Sequence, residues 1–383
     1  MKRRQFITQS VGFFALSQGL SACGNDASSL SIRLLKNSIP PQLINRFLLD
    51  IPQGNALKFT PESSLKKLWE LLQIWGGQKP GQTNFWSQLP FLSAPVIPSA
   101  LMTLGDTWLQ KAIASDLIQP LDPKALTNWS KLDPAWQKLV TRDRQGLLDP
   151  QGQIWGAPYR WGTTMIVYRQ DFFQDLGWTP QDWSDFWRPA LTQQIALVDQ
   201  PREVIGLTLK KLGYSYNTLD LTTVPNLASQ LQALQAQVKF FSSQYYLQSL
   251  LNRDVAIAVG WSNEILPLLS NTRNLRAVIP SSGTSLWADC WVMPKTFAGD
   301  LTLVNDWINF GWQTQSANQM ALFSKGSSPR LTSLPSQEIV PDVRRNPLIT
   351  LSPELWAKSE FLEPLPPRTE EQYETFWHNM RNT

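Results

Sequence analysis

Runs of strand length alternate with segments of helical period along nearly the whole chain, and that alternation leaves few folds open. SIRLL, Ser31 to Leu35, reads as a first strand. Leu65, Leu68, Trp69, Leu72 and Trp75 then recur at helical spacing and stop at Gly76-Gly77. PVIP, around Val96-Ile97, reads as a second strand, and TLGD precedes a helix from Trp108 to Leu117. GAPYRWGTTMIVYR, Gly156 to Arg169, has the β-branched and aromatic content of a strand. The same alternation continues through IALV (Ile195 to Val198), PREVIGLTLKKLG, VAIAVG (Val255 to Gly260) and SLWADCWVMP (Ser285 to Pro294). A helical run follows from about Asp300 to Phe323, and an amphipathic helix closes the chain. Such a chain predicts an α/β architecture with mostly parallel sheets covered on both sides. Its 383 residues suit two lobes better than one. Ligands of such sheets bind beyond the carboxyl ends of strands, often between lobes.

SLWADCWVMP holds the least ordinary pattern. With a period of two, Trp287, Asp289 and Trp291 share one face, and Ala288, Cys290 and Val292 share the other. The second face is a core face. The first frames a carboxylate with two indoles, and a buried carboxylate needs a cation. An alkylammonium ligand would be one: the carboxylate accepts its hydrogen bond and the aromatic faces receive its methylenes and charge. A Lys or Arg of the chain would be the other, and both readings stay open. Trp261, at the end of VAIAVG, is placed either to wall a cleft or to fill the core. Glu203 lies in the first turn of a helix, where a ligand or the helix dipole would favour an acid. Asp106 is a ligand acid or an N-cap. Alternation puts Arg160 opposite Tyr159 and Trp161, so that it points away from any cleft that Trp161 faces. The 18 tryptophans are several times ordinary usage, and those at strand ends and in loops suit ligand contact.

The first residues read as an address. MKRRQFITQSVGFFALSQGLSAC has a basic start, a short apolar stretch from Val11 to Leu16, and small residues before a cysteine. That is a signal peptide over residues 1–22, too short to span a membrane. Arg3-Arg4 followed by Gln5-Phe6-Ile7 resembles a twin-arginine export signal, the general secretory route being the alternative. Leu20-Ser21-Ala22-Cys23 resembles a bacterial lipobox, which implies that Cys23 is lipidated and becomes the N-terminus. Residues 23–30 would then be a lipidated tether, and the protein an exported, periplasmic one anchored to the membrane. Removing Lys2, Arg3 and Arg4 from 34 basic residues leaves 31 against 30 acidic ones, which gives no footprint for nucleic acid. His378 is the single histidine, so His-based triads and most zinc or iron sites are excluded. Cys23 and Cys290 make no disulfide framework.

Four segments, APYRWGTTMIVY, VDQPREVIGLTLKKLGYSYNT, AIAVGWSNEI and LWADCWVMP with its helices, together resemble the extracellular solute-binding proteins of ABC importers, especially the polyamine-binding branch. The resemblance implies a two-lobed, periplasmic-binding-protein-like fold of type II, with a hinge and a ligand cleft between lobes. It places the first lobe at 31–159 and 287–332, the second at 160–286, and a C-terminal segment, 333–383, packed on both. The crossings would fall near Tyr159–Trp161 and near Trp287. Trp261, Trp287, Asp289 and Glu203 fall on the family's ligand contacts. Two departures stand out: Lys36-Asn37-Ser38-Ile39 replaces a Trp-Thr-Glu-Tyr run, and Gln200 stands where an acid accompanies the matched glutamate. Fewer carboxylates leave the number of ligand ammonium groups open. The resemblance implies a monomeric receptor, not an enzyme, that passes a small cationic solute such as spermidine or putrescine to a permease without a cofactor. A sugar or other polar organic solute is the alternative, and Fe(III) ranks below it because Tyr245-Tyr246 lies inside an expected helix. A glycoside-acting enzyme is the alternative of another class, although no motif pairs an acid with a nucleophile.

Overall fold

The computed structural model describes residues 30–78 and 98–382. The leader, Cys23 and the expected strand at Val96-Ile97 lie outside the described residues.

The described chain opens with strand Leu30–Leu35, which pairs in parallel with Leu57–Glu62 and Leu101–Gly105. Helix Leu65–Trp75 covers these strands. Ser64 caps it by accepting from Lys67 N, and Leu68, Trp69, Leu71, Leu72 and Trp75 form its buried stripe. The helix stops at Gly76, as the spacing predicts. The helical run after Asp300 is two helices, Thr302–Gly311 and Thr314–Ser324, interrupted at Trp312 and Gln313.

Strand Ala157–Arg169 belongs to two sheets at once. Its first half pairs antiparallel with Ser285–Pro294, and its second half with Ile257–Trp261 and Leu275–Val278. Every residue of it but the last is buried, which suits a strand covered on both faces. Ser285–Pro294 returns beside it and pairs on its other edge with Leu101–Gly105. A short third segment, Glu360–Phe361, runs parallel to Ser285-Leu286. The sheets are therefore mixed rather than mostly parallel. The reason is topological: a chain that crosses between lobes and comes back must run antiparallel to itself there.

Separate apolar cores lie on either side of these crossings. One joins Ile32, Leu68, Trp136, Trp161, Trp291 and Trp307; another joins Phe173, Trp183, Ile195, Val204, Leu234 and Ile257. The second extends to helix Pro367–Arg381, whose Tyr373 and Met380 are buried against helices Pro201–Lys211 and Leu227–Gln237. Part of the tryptophan surplus is spent here, since Trp136, Trp183, Trp307 and Trp312 are fully buried. Ligand contact is not their common role. Among the described residues no helix is long and apolar enough to cross a membrane.

Candidate functional site

The paired crossing strands build the site. Trp287 lies opposite Gly162, and Asp289 lies opposite Arg160. Directly opposed residues in an antiparallel pair share a face. Gly162 is bare for a reason: a Cβ there would come within 2.4 Å of the Trp287 ring, so the indole lies across the glycine.

Glu203 enters on helix Pro201–Lys211, in its first turn, and the helix packs into the second apolar core. Its Oε1 accepts from Thr164 Oγ1 at 2.9 Å and from the indole nitrogen of Trp261 at 3.3 Å. Its Oε2 accepts from Ser285 Oγ at 2.6 Å. Thr164 and Ser285 sit on the two crossing strands, so one carboxyl ties both strands to the helix. Burial pushes the Glu203 carboxyl up from its ordinary range, against the pull of these hydrogen bonds and of Arg202. None of its hydrogen-bond donors is charged. Trp261 remains half-buried beside it and meets Tyr246 edge to face.

The other acids lie about 13 Å further along the strand, four residues at about 3.3 Å each. Asp289 does not wait for a ligand. Its Oδ2 accepts from Arg160 Nε at 2.8 Å and from Nη2 as well, with both side chains buried. Of the two readings left open for Asp289, the structural ion pair is the one present. The expectation that Arg160 turns away is overturned. Alternation along one strand is correct, but the face that Arg160 takes is the face of Asp289, and an unpaired guanidinium would be as costly to bury as the carboxylate.

Asp106 is not an N-cap. It opens the short 3-10 helix Asp106–Trp108 without a capping bond, and its Oδ1 accepts instead from Ala288 N at 3.1 Å. Its Oδ2 is buried with no partner. Burial raises its pKa to about 7, with Asp289 adding to the rise and the Ala288 amide and Arg142 opposing it. Arg142, whose own pKa burial lowers, donates from Nη2 to the Asp106 backbone carbonyl at 3.5 Å.

Trp161 is not at the cleft wall. It takes the face opposite to Arg160, is 2% exposed, and packs against Trp136 and Trp356 with centroids at 5.4 and 5.2 Å. Trp291 likewise joins the core, stacked on Tyr159 at 4.2 Å, because the register shifts between Asp289 and Cys290. The tyrosine pair does not form a metal site: Tyr245 is 64% exposed, and Tyr246 donates to Glu264. Among the described residues no group of three or more His, Cys, Asp or Glu is placed to hold a metal. A separate cavity of about 340 Å³ lies beside Glu360–Phe361, but its charges are matched internally, Lys138 with Glu363 and Lys210 with Glu360.

The geometry that the alternating pattern missed is the partnership of Arg160 with Asp289 and of Thr164 and Ser285 with Glu203. Each residue stands in a segment already singled out; what was hidden was the register between segments.

Comparison with known proteins agrees with this architecture. Residues 96–348 match the family described as bacterial extracellular solute-binding protein. The spermidine/putrescine-binding periplasmic protein of Salmonella typhimurium is 26% identical over 295 residues, 76% of each chain. The putrescine-binding periplasmic protein PotF of Escherichia coli is 26% identical over 263 residues, 64% of this chain and 66% of that one. Among solved structures, the spermidine/putrescine ABC transporter substrate-binding protein PotD of Streptococcus pneumoniae superposes with a TM-score of 0.74 at 22% identity, covering 92% of this chain and 98% of that one. That likeness shows the fold, the two-lobed type II arrangement of binding proteins.

Proposed function

We propose that this chain, which belongs to the family of bacterial extracellular solute-binding proteins, is the receptor of an ABC importer that captures a small organic cation of the polyamine class. Glu203 carries the reading. It is a buried carboxyl whose hydrogen-bond donors are all neutral, beside a half-buried tryptophan and tied to both paired strands. An ammonium group arriving there would supply the missing counter-charge and lie against the indole face. The names of the relatives, which bind spermidine or putrescine, support the same class. Trp261 and Trp287 wall the site, Glu203 takes the cation, and Asp106 and Asp289 form its far end. Capture proceeds by hinge closure about the crossings near Tyr159–Trp161 and Trp287, between lobe 31–159 with 287–332 and lobe 160–286. The closed complex is then delivered to a membrane permease.

The test is a thermal-shift screen of the mature protein against polyamines, amino alcohols, sugars, amino acids and Fe(III). A ligand present at a hundredfold over its Kd stabilises the folded state by about 2.7 kcal/mol, a rise in Tm of roughly 3–4 °C for a chain of this length. An amine should produce it. A sugar that does so while every amine fails would reassign the site to sugar stacking.

The same reading makes the protein an exported lipoprotein held at the membrane by Cys23, with Arg3-Arg4 directing export. Cys23→Ser is expected to leave unlipidated protein, either as precursor or free of the membrane fraction. Metabolic labelling with a fatty acid checks this, and a variant that labels as strongly as the parent removes the anchor from the proposal.

A further inference from the structure

A carboxylate and an aromatic face, set to receive a cation, already hold one. Arg160 donates from Nε and Nη2 to Asp289 Oδ2, and its Cζ lies 5.5 Å from the centroid of Trp287. Charge-assisted hydrogen bonds on one side and an indole face on the other are what an alkylammonium group would seek in this place. The guanidinium is built in rather than draped there. A Cβ on Gly326 would come within 2.8 Å of both Cγ and Cδ of Arg160, so the glycine leaves room for the arginine stem. The neighbouring Ser327 exchanges two backbone hydrogen bonds with Trp161, each 2.9 Å, which pins that glycine against the strand carrying Arg160. Asp106 beyond it does not restore an open acid site, because its carboxyl is half protonated near pH 7 and one oxygen is committed to the Ala288 amide.

We propose that Arg160 is an internal cation occupying the second ammonium position of the cleft, so that the receptor holds its solute by one ammonium group, at Glu203 and Trp261, and gains no affinity from a second. This deepens the reading of the site as a receptor for organic cations and rests on it. A second ammonium on the ligand gains no partner at Asp289 and meets the positive guanidinium instead. The part of the solute that reaches Trp287 is neutral: methylenes, or a hydroxyl that can accept from Arg160.

Matched pairs of linear diamines and amino alcohols of equal length, from putrescine to diaminooctane, test the selectivity by calorimetry on the mature protein. The parent should bind each diamine no more than about threefold more tightly than its amino alcohol, a ratio worth about 0.6 kcal/mol. Arg160→Leu releases Asp289 and should raise the preference for the best-fitting diamine about tenfold or more. Arg160→Leu combined with Asp289→Asn should lose that gain. If Arg160→Leu does not fold, Arg160→Gln, which keeps a neutral donor for Asp289, carries the same comparison. A parent protein that prefers a diamine tenfold, with Asp289→Asn removing the preference, overturns the proposal: the guanidinium would then have yielded its place.

The pair is tested without any ligand. Arg160→Leu and Asp289→Asn should each lower Tm, and the double variant should recover at least half of the larger loss. Losses that simply add would show that the pair is not formed, and overturn the proposal from that side. If the losses couple but no amine binds any variant, it is the cation reading of the cleft that has failed, taking the selectivity with it.

Discussion

Glu203→Gln is expected to weaken the binding of an alkylammonium ligand by about thirtyfold or more while leaving the melting temperature unchanged or raised. Losing one partner of a buried charge-assisted pair costs about 2–5 kcal/mol, and each 1.4 kcal/mol is about tenfold in affinity. The amide keeps the size of the side chain and an oxygen for Thr164 and Trp261, whose bonds to Oε1 are 2.9 and 3.3 Å. The nitrogen that replaces Oε2 faces Ser285 Oγ, now 2.6 Å away, and a hydroxyl can turn to accept as well as donate. The sign on stability follows from burial, which raises the carboxyl above its ordinary range. A group whose folded pKa is raised holds its proton longer in the folded state, so stability falls as pH rises from the unfolded value through the folded one. The neutral amide escapes that loss. Titration by tryptophan fluorescence beside a melting curve reads both effects. If affinity is kept and Tm falls by many degrees, Glu203 is a clamp on the crossing strands and not a ligand acid.

How far such a site is legible in the residues depends on whether its contacts are local. The helix at Leu65–Trp75 announces its face by spacing, its start by Ser64 and its stop by Gly76, all within one segment. The strands Ala157–Arg169 and Ser285–Pro294 are equally plain, and so is the oddity of a lone charge in each. Arg160 is the one base among APYRWGTTMIVY, as Asp289 is the one acid in SLWADCWVMP. Two opposite charges alone in two strands of one sheet are each other's simplest partner, but period two describes a single strand and says nothing of the register between two. That coordinate decides three placements together. Without it, alternation turns Arg160 from the cleft and Trp161 into it, and sets Trp291 beside a ligand, whereas Trp291 stacks on Tyr159 in the core next to a register shift. Glu203 is marked by the family resemblance, since its place in the first turn suits a helix-dipole acid equally well, and its ties to Thr164 and Ser285 span 39 and 82 residues of sequence with no local signal.

Asp106→Asn is expected to stabilise the protein at pH 8 by as much as about 4 kcal/mol and to change little at pH 4. The carboxyl is fully buried, one oxygen accepts from Ala288 N, and the other has no partner. Burial holds its pKa at about 7, with the neighbouring Asp289 adding to the rise. In the unfolded chain an aspartate titrates near 3.9. Between about pH 4 and 7 the folded protein therefore keeps a proton that the unfolded chain has released, and stability falls as pH rises through that window. The interval is about three pH units, each worth about 1.4 kcal/mol, and the loss is complete above pH 7. Asparagine carries no charge to bury and keeps an oxygen for the Ala288 amide, so its stability should not decline over the same range. Arg142 limits the gain, because its guanidinium offsets part of the burial of Asp106 and would itself be left less well matched. Denaturant unfolding of parent and variant at pH 4, 6 and 8 measures the difference directly. A stability difference that is the same at all three values would mean that Asp106 titrates no differently in the folded and unfolded chains, and that its carboxylate finds in the cleft a partner as good as water.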